Sequence, residues 1–337
     1  MLLRLFRSNR PLVILILPLF IITIWLPGLQ EQQALIYPVG QHPGLFYKIF
    51  LGFTAKNVML SKIIAFLLFF IISIMIVRLN TRYFFIPSRT QLPAVIYIFI
   101  VSSVVVLQRF SPVILSSLIL VMAINRVFAS YKYEGVAYHF FDAALLISLS
   151  SLIYINSLFF ISFVWLGLIL LRTFNWREWI FTIIGLALPY LFLSVYFYGT
   201  DRSINELLFY AIGNNFEAGI PLADKMAGIY IIAIVLSVFI IISSLFMMHK
   251  FDTKKIHARK YFLFFFWMFI ILTLLFISLP SYGAEYILFA AIPLTYLLSH
   301  YFIFTKINWV NRILFTILLL MPFYMAYSDK IHNLIQK

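Results

Sequence analysis

Val58–Val77, reading VMLSKIIAFLLFFIISIMIV, runs for twenty residues with a single charge, Lys62. At about 1.5 Å of rise per residue a helix of this length spans the roughly 30 Å hydrocarbon layer of a bilayer. Ten further apolar stretches resemble it: 11–29, 92–108, 113–128, 136–154, 157–171, 179–198, 227–248, 261–279, 285–304 and 312–328. Together they account for almost the whole chain. The expected fold is all-α: one integral membrane domain over 1–337, a polytopic transmembrane bundle of about eleven spans. The fourth and sixth stretches are short, and the pairs 92–128 and 136–171 have almost no connector. These pairs are either tight hairpins or half-spanning pairs that leave a cavity.

Composition agrees. The chain is 64% hydrophobic and only 11% charged, against roughly a quarter charged in soluble domains, which excludes a water-facing fold of this size. The net charge of +14 does not indicate nucleic acid, because the cations sit at the ends of apolar segments rather than along a stripe with interleaved aromatics. There they set orientation and meet anionic headgroups. Cysteine is absent, which removes disulfides, thiolate metal sites and cysteine nucleophiles. Arg4, Arg7 and Arg10 precede the 11–29 stretch. That stretch is long enough to span and no small-residue cleavage site follows it, so an uncleaved first span is expected.

With the N-terminus inside, 17 Lys and Arg fall in or beside the inner connectors and 7 on the outer side. The bias predicts a cytoplasmic N-terminus and a periplasmic C-terminus. Glu31, Asp201, Glu206, Glu217, Asp224 and Asp329 then lie outside, with Glu285 at the outer boundary. Two outer loops are long. Loop 30–57 carries Leu45, Phe46, Ile49, Phe50 and Phe53 at helical spacing, and loop 199–226 carries Ile204, Leu207, Leu208, Ala211 and Ile212. Both predict amphipathic helices lying in the outer interface.

The segments LNTRYFFIPSRTQLP (Leu79–Pro93), LRTFNWREWIFTIIGLALPY (Leu171–Tyr190) and PLTYLLSHYF (Pro293–Phe302) resemble those of a family of polytopic integral membrane proteins of Bacteroidota. The resemblance covers nearly the whole chain and implies the bacterial inner membrane as location. The order of elements also resembles the membrane region of type-C glycosyltransferases: a first span, a long outer loop with an interfacial helix, then short hairpin spans. That second resemblance implies sugar transfer from a polyprenyl-phosphate donor at the outer face. It also implies an acidic residue or pair just after the first span. Here the segment Gly28–Gln33 offers a lone Glu31.

Four groups of residues could carry chemistry. Glu31 is placed to act as a general base toward an acceptor hydroxyl, with Arg109 or Arg202 binding the donor phosphate. The plain alternative is that these are headgroup-level residues at helix ends. Glu285, after Pro280-Ser281-Tyr282-Gly283, is a second outer carboxylate. It stands 15 residues from His300, about 22 Å along a helix, so the two belong to opposite membrane faces. His139 and Asp142 share a helix face and form either a proton relay, with Asp142 holding the histidine tautomer, or a structural polar pair. The Arg172–Glu178 turn reads as an inner anchor with Glu178 balancing Arg172, or as a phosphate site. His249 and His257 lie among five cations, which favours an anionic-lipid surface over a metal.

Phosphate-binding glycine loops, zinc-type His-Glu patterns and nucleophile elbows are absent. No metal or cofactor is implied. The expected partners are membrane lipids, polyprenyl phosphate among them, and other inner-membrane proteins. The leading expectation is a glycosyltransferase-like activity. A non-catalytic scaffold subunit of an envelope or secretion assembly is the main rival, and a transporter or flippase is third.

Overall fold

In hydrocarbon a backbone has no water to bond, so each segment must satisfy its own N–H and C=O groups, and a helix does this. A computed structural model of the chain describes residues 6–7, 16–19, 21–25, 46, 57–86, 88–131, 135–200, 227–249, 255–278, 286–305 and 308–335. These residues are helical nearly throughout and none forms a strand. After helical residues at 16–19 and 21–25 come α1 (Val58–Tyr83), α2 (Leu92–Ser102), α3 (Pro112–Ala129), α4 (Ala137–Ile153) and α5 (Ile161–Leu171). Then follow α6 (Trp176–Gly199), α7 (Ala227–His249), α8 (Ile256–Ser278), α9 (Tyr286–Phe304) and α10 (Trp309–Ile335).

Among the described residues five helices are long and apolar enough to cross a membrane: α1, α3, α6, α8 and α9. Shorter apolar helical segments include 16–25, α2, α4, 155–171, 234–247 and 309–324. Of the two predicted interfacial helices, only Phe46 is described. It lies in a turn, and its N–H donates to the carbonyl of Leu152 at 3.2 Å. The other residues of both predicted helices lie outside the described residues.

The predicted 92–108 stretch is not one helix. α2 stops at Ser102, Val104 is extended, and a 3₁₀ turn covers Val105–Gln108. Ser103 Oγ donates back to the carbonyl of Ile100 at 2.5 Å, and three β-branched valines follow; both weaken helix continuation. Likewise α4 ends before an extended Tyr154, and a 3₁₀ turn, Ile155–Phe160, leads into α5. α2 and α5 each have 11 residues, about 16 Å of helix. Neither crosses alone.

Every residue of α2 is buried, and α9 is buried from Ile287 to Phe302. These two helices, apolar on all sides, form the centre of the bundle. α1 and α10 pack against α2, α7 and α8 against α9, and α3 connects the centre to α4 and α5. Around the junction of α1, α3, α8 and α9 the core is aromatic: Phe85 meets Tyr296 edge-on at 4.9 Å and Tyr296 stacks on Phe265 at 4.4 Å. α1 turns Ala65, Phe69, Ile72 and Ile76 inward and leaves Ile63, Leu67, Ile71 and Ile74 exposed. An exposed apolar stripe of that kind suits contact with lipid tails.

α6 is the outermost of these helices and packs on α4 through small residues. Ser148 Oγ donates to the carbonyl of Leu186 at 2.8 Å, and Ser151 Oγ and the Tyr190 hydroxyl lie 2.6 Å apart. Gly185 faces Ala144 and the backbone of Phe141. The spacing Ala144, Ser148, Ser151 puts small side chains on one α4 face, so the two backbones approach closely. The turn after α1 is tied by Asn80. Its carbonyl accepts from Phe84 N–H at 2.8 Å and its Oδ1 from Ile86 N–H at 3.0 Å. This lets Phe84 take the left-handed φ of 47° that a side chain otherwise disfavours.

Candidate functional site

Polar side chains within apolar spans are costly and face partners or cavities. Their positions therefore mark the candidate sites. At one end of the bundle the start of α1, the break after α2 and the start of α3 converge. Phe110 N–H donates to Ser61 Oγ at 3.1 Å, which holds residues 109–110 against the first turn of α1. Trp25 Nε1 donates to Ser102 Oγ at 3.3 Å, and Gln108 Nε2 donates to the Ser102 carbonyl at 3.3 Å. Pro112 then opens α3, with Ser111 extended before it.

Two cations share this end. Lys62 follows Ser61 and is only 4% exposed; Arg109 precedes Phe110 and is half-buried. Each is thus next in sequence to one partner of the Ser61–Phe110 bond. An ammonium and a guanidinium are side chains of the kind that bind a phosphate through charge-assisted hydrogen bonds.

Of the residues singled out from the sequence, Arg109 is here. Glu31, Arg202 and Glu285 lie outside the described residues. Lys62 is not among the residues assigned to a site from the sequence. The signal was present, since it is the one charge in Val58–Val77.

At the opposite end the last turns of α1 and α3 meet the first turns of α4 and α8. The Tyr83 hydroxyl donates to Asn125, with the carbonyl at 2.8 Å and Oδ1 at 3.0 Å. Arg82 Nη1 reaches Asn125 Oδ1 at 3.4 Å. Lys260 Nζ lies 5.7 Å from the Tyr131 ring centroid. The N-terminal segment is at this end too: Arg7 Nη2 donates to the carbonyls of Phe302 and, at 2.9 Å, Thr305. A cation there complements the C-terminus of α9.

His139 and Asp142 also sit here, at the start of α4, but not as a bonded pair. Asp142 Oδ2 lies 3.6 Å from Arg126 Nε of α3, with both side chains substantially exposed (36% and 49%). No hydrogen bond joins Asp142 to His139, whose Nδ1 is buried without a partner among the described residues while its ring lies against Tyr138. The short α3–α4 turn brings a guanidinium opposite the carboxylate, and the ion outcompetes the neighbouring ring.

The turn into α6 holds a buried ion pair. Arg172 reaches Glu178 Oε1 through Nη2 at 2.7 Å and through Nε at 3.2 Å, with Oε2 3.3 Å from Nε. Glu178 is 2% exposed and Arg172 13%. The reading of Glu178 as the balance for Arg172 fits this geometry. Asn175 caps the helix, its side chain accepting from Arg177 N–H at 3.2 Å. His300 is buried at the far end of α9 among the rings of Phe246, Phe262 and Phe304. Among the described residues no three His, Asp or Glu side chains group so as to hold a metal ion. In comparisons with protein-family models, with curated proteins and with solved structures, nothing matches this chain.

Proposed function

We propose that this is a multi-pass bacterial inner-membrane protein that binds a polyprenyl-phosphate-linked substrate at its outer face, as a glycosyltransferase-like protein. In this reading the eleven apolar stretches cross the membrane or pair within it, the N-terminus is cytoplasmic and the C-terminus periplasmic. The Lys62–Arg109 end is then the outer one. The observation that carries the proposal is the burial of Lys62 inside a membrane-length helix, beside the turn that carries Arg109. Ionisable side chains within apolar spans mark ligand sites, and an ammonium and a guanidinium are the donors that suit a lipid phosphate. A lipid phosphate brings its charge to this depth and its chain to the apolar face of α1.

The chemistry assigned to this end is displacement at a sugar's anomeric carbon. The acceptor oxygen bonds to that carbon as the carbon–oxygen bond to the lipid phosphate breaks. Glu31, six residues beyond Trp25, takes the acceptor's proton. Lys62 and Arg109 meet the charge that remains on the departing phosphate, and Arg202 and Glu285 are further outer-face candidates for phosphate contact and carboxylate chemistry.

Native mass spectrometry of the gently solubilised protein from its own membrane tests this. Wild type should retain a polyprenyl-phosphate species without a stoichiometric protein partner. Lys62→Gln should lower that occupancy roughly tenfold to a hundredfold, the weight of one charge-assisted contact. Glu31→Gln should keep the lipid and lose transfer. A defined protein partner with only bulk phospholipid would replace the enzyme reading by the scaffold one.

A further inference from the structure

The end of the bundle opposite Lys62 holds a second grouping of cations that the proposed transfer does not use. Arg82 lies in the last turn of α1 and Arg126 in the last turn of α3; the neutral His139 ring is in the first turn of α4. Arg82 Nη1 lies 3.4 Å from Asn125 Oδ1, and Arg126 is the next residue along. Both guanidinium groups act electrostatically on the Tyr83 hydroxyl and on the His139 ring. Among the described residues the one carboxylate at this position is Asp142, 3.6 Å from Arg126 and more than a third exposed. That pair is loose and wet, so it leaves the grouping cationic overall. Tyr83 is held by two bonds to Asn125 and stacks under Arg82, whose guanidinium carbon is 5.5 Å from the ring centroid.

An apolar path starts from the same point. One turn back along α3 from Arg126 is Met122, exposed, and then Leu118, partly exposed. One and two turns on along α4 from Asp142 are Leu146 and Leu149, the latter exposed. α3 and α4 pack side by side, so these residues continue the cationic end into a strip directed toward the middle of the bundle. Headgroup-sized positive charge at a helix end, joined to an apolar strip about two turns long, has the shape of one phospholipid.

We infer that Arg82 and Arg126 bind the phosphodiester of an anionic phospholipid in the cytoplasmic leaflet, with its acyl chain along Met122 and Leu149. Asp142 acts against this by competing for Arg126, so it sets the affinity. The site is independent of Lys62 and Arg109 and lies at the other face.

The test is native mass spectrometry of the protein mixed with equal dioleoyl phosphatidylglycerol and dioleoyl phosphatidylcholine. Wild type should retain the glycerol lipid preferentially. The double variant Arg82→Gln/Arg126→Gln should lose that preference roughly twenty-fivefold, since each basic residue near the surface contributes on the order of fivefold. Arg312→Gln, an exposed arginine at the start of α10, should leave it unchanged. Asp142→Asn frees Arg126 and should raise the preference, which keeps the inference testable if the double variant does not fold. No preference in wild type, an equal loss in Arg312→Gln, or no gain in Asp142→Asn would overturn it. So would a bound phosphate mass in phosphatidylcholine alone with added inorganic phosphate and no lipid preference, because that marks a free-ion site.

Discussion

Glu178→Ala should destabilise the protein by about 3–5 kcal/mol, the cost of leaving a buried ion without its partner. Glu178 is 2% exposed and Arg172 13%, so water cannot replace the carboxylate once it is removed. Three contacts between 2.7 and 3.3 Å then disappear together. The guanidinium's approach to the Ser130 carbonyl at the end of α3 is long, 3.5 Å. Glu178 also stands in the first turn of α6, where a negative charge complements the helix N-terminus. Replacing both partners, as Arg172→Leu/Glu178→Leu, removes the charge from each side and should cost much less than the single change. Unfolding by titrated SDS in mixed micelles, followed by circular dichroism, reads both effects. A single variant within about 1 kcal/mol of wild type, as expected of an exposed pair, would show that the pair is solvated.

Some of this architecture is legible in the sequence because the membrane enforces it. Long apolar runs become helices, and α1, α6 and α9 begin within a few residues of the predicted 58, 179 and 285. Helix ends are less legible. α1 continues six residues past Val77 through Arg78, Asn80 and Arg82, because good helix formers persist until Asn80 ties off the turn. The break at Ser103–Val104 sits inside an unbroken apolar run, and hydropathy does not register a serine bonding back to its own helix. The candidate site is less legible still. The bond that ties the Arg109–Phe110 turn to the start of α1 joins residues 49 apart in sequence, and no local period encodes it. The spacing of His139 and Asp142 puts them on one face, yet a cation from α3 takes the carboxylate. Periodicity shows which residues share a helix face; which neighbouring helix supplies their partners is a tertiary fact.

Gly185→Ala should force α6 off α4. A Cβ at Gly185 would lie 2.5 Å from the Phe141 carbonyl oxygen and 3.2 Å from Ala144 Cβ. The first obstacle is backbone, so no rotamer relieves it and α6 must move off α4. Alanine is worth about 1 kcal/mol more than glycine in a helix interior, but overpacking costs about 1–3 kcal/mol. The bonds from Ser148 to Leu186 and between Ser151 and Tyr190 lengthen with the same displacement. Gly185→Ala should therefore lower stability, and Gly185→Val should do so further. Gly167 provides the contrast. Its added Cβ would meet Val127 Cγ1 at 2.2 Å, a side-chain methyl that mutation can remove. Gly167→Ala should destabilise in the wild-type background and much less beside Val127→Ala, whereas Ala144→Gly should leave most of the Gly185→Ala loss in place. Gly199, with nothing within 4 Å of its added Cβ, should accept alanine within about 0.5 kcal/mol. The same SDS titration ranks all of these. If Gly185→Ala were as benign as Gly199→Ala, α4 and α6 would have to stand further apart than small-residue packing places them.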